Sequence, residues 1–323
     1  MNGRVVKTRT RRPYLSVWLI ALGAAMWGLD AVFIVALQRH MSSTQIVFLE
    51  HLLLALFSIP VLIWKRHELK RLNVGDWIAV LFIAWGGSAL ASILFAVGLQ
   101  HGNANVVLVL QKLQPVFAVL LAASVLKERV SRGYWLLLIA ALIGAYLLTF
   151  GFGPVTGIGA AGRMVGALCA LGAAMLWGGS TAMGKRLVGK VSFSTVTALR
   201  FAAALPFLFV IVECERPDWA SLGVALTLWP VIANLLFQTI VPSLLSLLIY
   251  YKGLNGVKAS HATIAELAFP ATGLLLNWLV LHQTITAGQW VGFAVIWLAV
   301  FQMSRLPKDK MRSSMGGSIQ ASL

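Results

Sequence analysis

Five ionisable side chains stand inside stretches of the sequence that are otherwise apolar: Asp30, Glu50, Lys112, Arg200 and Glu266. Unpaired and facing lipid they would together cost on the order of 12–17 kcal/mol, at about 2.5–3.5 kcal/mol each. They are therefore expected to face the protein interior, to pair, and to meet a polar solute there. At about 1.5 Å of rise per residue, Asp30, Glu50 and Lys112 fall at one depth, and Arg200 and Glu266 at a similar depth from the opposite surface. Two clusters follow: one around Lys112, and an internal ion pair that Arg200 makes with Glu266. In the first, Lys112 with Asp30 or Glu50 forms a gate or a substrate contact, and Glu50 or Glu266 carries a proton. The alternative is a set of static ion pairs that fixes helix register.

Two of these charges sit beside prolines in matching sentences. In NANVVLVLQKLQPVFAVLLAASVLKE, Gln111, Lys112 and Gln114 stand next to Pro115; in ASHATIAELAFPATGLLLNWLVL, Glu266 lies four residues before Pro270. Each proline removes a helical donor, leaving the carbonyls of Gln111 and Glu266 open to a substrate and making Pro115 and Pro270 candidate hinges. Plain bending of a transmembrane helix is the alternative. Trp27, Trp85 and Trp177 lie deep enough to line a cavity. With nearby carboxylates, Trp27 and Trp177 could box a cation.

These residues need elements that hold them in a bilayer, and the composition supplies them. Of 323 residues, 59% are hydrophobic and 11% charged, against about 25% charged in a soluble domain. Ten apolar spans are expected: Tyr14–Leu37, Gln45–Trp64, Trp77–Leu99, Ala104–Leu126, Tyr134–Phe150, Met164–Leu187, Ser194–Val212, Trp229–Tyr251, Ala259–Leu281 and Gln289–Ser304. The loops on one side, with both tails, hold 21 of the 26 basic residues. Both termini are thus expected in the cytoplasm, in a multi-pass protein of the inner (plasma) membrane. Clustering of the basic residues between spans also argues against a nucleic-acid partner, despite a net charge of +16. No metal-ligand spacing occurs, the two cysteines do not suggest a site, and no cofactor is expected.

The chain also repeats itself. Ala21–Met26 before Trp27-Gly28 returns as Ala170–Met175 before Trp177-Gly178. Glu50 corresponds to Arg200, Gly98 to Gly253, Pro115 to Pro270 and Trp135 to Trp290. Five spans per half is an odd number, so the halves are expected to be inverted repeats. The fold class is an all-α integral membrane protein of ten transmembrane helices in two inverted five-helix repeats. Its parts are a basic tail (1–13), a first repeat (14–151), a linker (152–163), a second repeat (164–306) and a polar tail (307–323).

In these residues the chain resembles the EamA-type, ten-helix branch of the drug/metabolite transporter superfamily. The resemblance rests on both Trp-Gly pairs, on Glu50 and Arg200, and on two signatures. One runs from Leu113-Gln-Pro115 through Lys127-Glu128-Arg129 to Trp135, the other from Leu267-Ala-Phe-Pro270 through Leu281 to Gln289-Trp290-Val-Gly292. The chain departs from the pattern at His282-Gln283, which replaces the Lys-Glu-Arg of the first half, and at Lys112 itself. The resemblance implies a central cavity and transport of amino acids, sugars, nucleotide-sugars or drugs.

The expected function is secondary transport of a small polar or amphipathic metabolite, an amino acid or related compound, moved outward by alternating access. Proton or counter-substrate coupling is part of that expectation, in a monomer or homodimer. Transport of a quaternary-ammonium ion or drug is the second reading. An intramembrane enzyme is a third, disfavoured because no nucleophile–base pair is present.

Overall fold

In a computed structural model the described residues are 13–29, 33, 36–101, 104–154, 163–216, 218–282 and 284–305. Asp30, most of the expected linker, and the tails before Pro13 and after Arg305 lie outside them. Among the described residues the chain is helical and has no strand. Eight helices are long and apolar enough to cross a membrane, and two shorter apolar ones, Tyr14–Trp27 and Gln114–Val125, join them.

The helices are α1 (Pro13–Trp27), α2 (Ser43–Trp64), α3 (Val74–Leu81), α4 (Ala91–His101), α5 (Ala104–Gln111), α6 (Gln114–Val125), α7 (Arg132–Phe150) and α8 (Arg163–Val188). There follow α9 (Phe193–Cys214), α10 (Trp219–Ala225), α11 (Trp229–Gln238), α12 (Ser246–Leu254), α13 (Ala259–Ala265), α14 (Ala268–Leu281) and α15 (Ala287–Ser304). Two stretches of wider, π-helical winding, Phe82–Leu90 and Thr239–Leu245, join α3 to α4 and α11 to α12.

Local chemistry sets the ends. A helix's first N–H groups lack internal partners, and a side-chain oxygen that accepts from them defines the start. Ser42, Asn73 and Thr286 do this in reciprocal capping boxes with Gln45, Asp76 and Gln289. Ser131 and Ser192 cap α7 and α9 through Tyr134 and Thr195.

Two expected spans are broken. The span containing Lys112 is helical to Gln111, turns at Lys112 and Leu113, and resumes at Gln114. The span containing Glu266 turns at Glu266 and Leu267 between α13 and α14. Each proline sits just past its break, where its missing N–H leaves no helical bond to lose. In the first expected span α1 ends at Trp27 and a turn follows at Gly28 and Leu29, while Phe33, Ala36 and Leu37 are again helical.

Helices of the first half pack mainly on helices of the second. α1 lies on α12 and α14, α8 on α4 and α6, α2 on α9, α7 on α15, and α13 on α6. Glycines allow close approach at several of these crossings. A methyl group on Gly28 would stand 2.7 Å from the carbonyl oxygen of Phe269, and one on Gly178 would stand 2.6 Å from that of Gln114. Each Trp-Gly pair is thereby seated against the residue that precedes the proline of the other half.

α2 and α9 are clasped at both ends. At one end Lys65 Nζ donates to Ser192 Oγ (2.9 Å) and Ser194 Oγ (2.6 Å). At the other, Glu215 accepts from Ser42 Oγ (3.2 Å) and Thr44 Oγ1 (2.6 Å). In both clasps the residue closing one helix holds the residues opening its neighbour.

Candidate functional site

The break between α5 and α6 opens onto a cavity of about 460 Å3. Gln111 and Lys112 reach it from the break, Phe95 from α4, Trp177 from α8, and Phe269 and Pro270 from α14. Thr149 near the end of α7, and Thr284, Ile285 and Gln289 leading into α15, surround its mouth. The rings of Phe95 and Trp177 stand 5.5 Å apart, and Lys112 Nζ lies 6.0 Å from the Phe269 ring centre. A second hollow of about 150 Å3, lined by Leu142, Tyr146 and Phe150, meets Lys112 from the other side. Lys112 makes no ion pair among the described residues, and it lines both hollows.

The other break carries a packed polar node. Glu266 is buried and accepts hydrogen bonds from Tyr250 OH (2.7 Å), Thr181 Oγ1 (2.9 Å) and Gln114 Nε2 (2.9 Å). Four elements (α6, α8, α12 and the α13–α14 turn) meet in this one carboxylate. Each bond to a charged acceptor contributes about 1.5–3 kcal/mol. Trp27 joins through its ring, 5.1 Å from that of Tyr250, and through Nε1–H, which donates to Ser246 Oγ at 2.9 Å. Gln111 reaches Gln114 at 3.5 Å, so glutamines link the open cavity to the node.

Of the two expected charge clusters, the one around Lys112 includes Asp30, which lies outside the described residues, and the Arg200–Glu266 ion pair is not made among the described residues. Glu50 accepts from Ser243 Oγ at 3.5 Å. Arg200 makes no ion pair with Glu266: its Nε donates to Ser88 Oγ (2.8 Å) and its NH1 to Tyr251 OH (3.1 Å). Serines of the π-helical stretches, Ser88 and Ser243, meet the charges of α9 and α2, and Tyr251 of α12 takes a second Arg200 donor. Trp85 is also displaced from its expected place. It is 41% exposed, stacks on Phe207 at 5.3 Å and donates to the Ala203 carbonyl. Its neighbours Gly86 and Gly87 take the inward face against α8, so the indole points away from the cavity.

The EamA-like transporter family profile matches twice, over residues 14–150 and 164–305. The chain belongs to the EamA-like transporter family. This EamA-like transporter is 30% identical over 297 residues to the riboflavin transporter ImpX of Fusobacterium nucleatum, covering 89% of this chain and 97% of that protein. It is 25% identical over 249 residues to the uncharacterized transporter YwfM of Bacillus subtilis, covering 77% and 80%. A solved crystal structure aligns over 88% of this chain and 95% of its own with a TM-score of 0.70 at 16% identity, which shows a shared fold. The protein is a membrane transporter of a small molecule and not an enzyme.

The end of the transporter away from the cavity mouth is crowded with basic residues and closed by them. Asp76, fully buried, binds Arg186 at 2.8 Å and Lys190 at 2.5 Å. Glu128 accepts from the N–H groups of Ala259 and Ser260 at the start of α13, at 2.9 and 3.1 Å. Lys258 reaches the Arg129 carbonyl, and Lys185 the carbonyls of Leu254 and Asn255. Glu68 accepts from Ser192 N–H and Thr195 Oγ1, both at 2.7 Å. Burial pushes the Glu68 carboxyl up, but these hydrogen bonds, with Lys65 nearby, hold it below the usual carboxylate range.

Of the expected site residues, Lys112, Gln111, Trp177 and Pro270 meet in the cavity, and Glu266 and Trp27 meet in the node. Tyr250, Thr181, Phe95, Phe269 and Gln289 were not singled out from the sequence. Tyr250-Tyr251, two phenols inside an apolar span, was the one available signal.

Proposed function

We propose that the chain is a secondary transporter that carries a ring-bearing, amphipathic metabolite through the Lys112 cavity by alternating access of two inverted five-helix halves. The observation that carries this reading is a bundle open at one end and closed at the other. Around Lys112 lies a cavity within the usual ligand-site range of about 300–1,000 Å3. Helix breaks at both prolines, π-helical turns in α3–α4 and α11–α12, and cross-half packing of each Trp-Gly pair support the inverted repeat. The basic end is taken as cytoplasmic, with both termini there, in the cell's inner membrane, which makes this an outward-open state.

The lining speaks to substrate class. Among the described residues it offers one cation, three aromatic rings and the uncharged polar groups of Gln111, Thr149, Thr284 and Gln289, with no carboxylate. A free amino acid could pair its carboxylate with Lys112, but among the described residues the lining offers its ammonium no counter-charge, and a quaternary ammonium would meet repulsion from Lys112. A planar ring with an acceptor-rich edge fits between Trp177, Phe95 and Phe269, its edge toward Lys112. Riboflavin, named for the Fusobacterium relative, has that character, so riboflavin-like compounds replace amino acids as the leading class. With a riboflavin-like substrate the proposed direction is uptake, in place of the export expected from sequence.

The test is uptake and thermal stabilisation in proteoliposomes and detergent, with riboflavin, amino acids, choline and sugars as probes. Stabilisation by riboflavin alone, lost in Lys112→Ala, is the expected result. Stabilisation by amino acids but not riboflavin, or an unaffected Lys112→Ala, would overturn it.

A further inference from the structure

The repeat relates each residue of the open cavity to one at the basic end. Counterparts lie 150 residues apart in the first helices of each half and 155 apart after them, as Trp27/Trp177 and Pro115/Pro270 show. On that register Trp177 maps to Trp27, Phe95 to Tyr250, Gln111 to Glu266, Lys112 to Leu267 and Phe269 to Gln114. These are the members of the Glu266 node and its neighbour. Around them several further counterparts are filled in. Leu148 and Thr149 map to Met303 and Ser304, both buried, while Gln289 and Leu108 map to Tyr134 and Thr263, whose hydroxyls bond each other at 3.2 Å. The node is the same cavity, closed.

The scaffold is repeated with its charge inverted. Where the open cavity has an ammonium at the helix break and no acid among the described residues, its counterpart has a carboxylate at the break; the one cation among the mapped counterparts is the exposed Arg129, which corresponds to Thr284 at the cavity mouth. Arg200 lies beyond Tyr251 and binds Ser88. Two aromatic faces, Trp27 and Tyr250, stand beside that carboxylate, which is the arrangement that receives a cation by charge and ring together.

We propose that opening of the basic end exposes a second ligand site, formed by Glu266, Tyr250, Trp27, Thr181 and Gln114, which takes a positively charged partner from that side. This rests on the alternating-access reading above. The chemistry required is a small cation, delivered as an organic ammonium or as a proton. The ionisable groups around Glu266 are Tyr250 on α12, Tyr134 on α7 and, at longer range, Arg200 on α9. Transport then becomes an exchange between unlike ligands: an acceptor-rich ring enters against Lys112 and a cation leaves against Glu266.

The experiment loads proteoliposomes with tetramethylammonium at constant pH, or with an acidic interior and no amine, and follows uptake of labelled riboflavin. Internal tetramethylammonium or internal acid is expected to raise the wild-type initial rate by at least about fivefold, the lower end of ordinary coupling between sites. Glu266→Gln, checked for a monodisperse gel-filtration profile, is expected to lose that stimulation; the arm that responds identifies the cation. Thr181→Cys, in a chain with Cys169 and Cys214 changed to alanine, supplies a measurement independent of riboflavin. An impermeant maleimide is expected to label this variant from the basic side, and tetramethylammonium or acid to protect it. Wild-type uptake that neither arm changes, or a Thr181→Cys variant that never labels from that side, overturns the proposal. Absence of any riboflavin uptake, with labelling and protection intact, would instead count against the substrate class alone.

Discussion

Replacing Gly178 by alanine adds one methyl group at the crossing of α8 and α6. That carbon would lie 2.6 Å from the Gln114 carbonyl oxygen, 2.8 Å from the Ala118 nitrogen and 3.1 Å from the Phe117 Cβ. Ordinary contacts begin near 3.4 Å, so α6 must retreat by several tenths of an ångström. Two of the three obstacles are backbone and cannot rotate aside. Overpacking of this kind costs about 1–3 kcal/mol. The retreat also draws Gln114 from Glu266, whose 2.9 Å bond contributes about 1.5–3 kcal/mol when the acceptor is charged. For a chain of this size 1 kcal/mol corresponds to roughly 2 °C in the unfolding midpoint. Gly178→Ala is therefore expected to unfold about 2–12 °C below wild type in a detergent melt, the lower end for overpacking alone and the upper end with the Gln114 bond lost as well. Gly133→Ala is the comparison, because nothing lies within 4 Å of a methyl group there. If the two variants melt together, the close crossing of α8 and α6, and the seating of each Trp-Gly pair on the opposite proline helix, are wrong.

Loss of Lys112 in Lys112→Ala removes one charged ligand contact worth about 1.5–3 kcal/mol, so substrate affinity is expected to fall by roughly ten- to a hundredfold, read as a shift in half-saturation. Trp85→Ala is expected to leave transport per folded molecule unchanged, since the ring packs on Phe207 outside the cavity; a large change in half-saturation would restore it to the site. The lowered Glu68 carboxyl stabilises the closed basic end above the ordinary carboxylate value and loses that contribution as pH falls through its own lower value. Acid melts of wild type and Glu68→Gln are accordingly expected to converge at low pH and to diverge near neutrality; a constant gap across the range would refute it.

Sequence revealed depth and lost azimuth. Capping residues such as Ser42, Ser131, Ser192 and Thr286 mark where helices begin, and Pro115 and Pro270 mark where two of them break. Lys112 and Glu266 stand out by their cost in lipid. Which charges meet was not legible, because a helix apolar on every side carries no periodic stripe to tell which face turns inward. Glu50 meets Ser243 of a π-helical stretch, and Lys112 lines the cavity beside Phe269. The π-helical stretches add a further change of register. They bring Ser88 and Ser243, two unremarked serines, to Arg200 and Glu50, and turn Trp85 away from the cavity. Tyr250 escaped notice because its importance comes from Glu266, which lies on another helix.

The paired clasps of α2 and α9 constrain how such a molecule can move. Each helix end is tied to the start of its neighbour, by Lys65 at one surface and by Glu215 at the other. A slide of one helix along the other would stretch both ties at once. The pair behaves as an axle fixed at both bearings, and the displacement of a transport cycle must be carried by the helices arranged around it. The bearings also differ in sign, a lysine at the basic surface and a glutamate opposite, so the axle itself carries a built-in polarity across the bilayer.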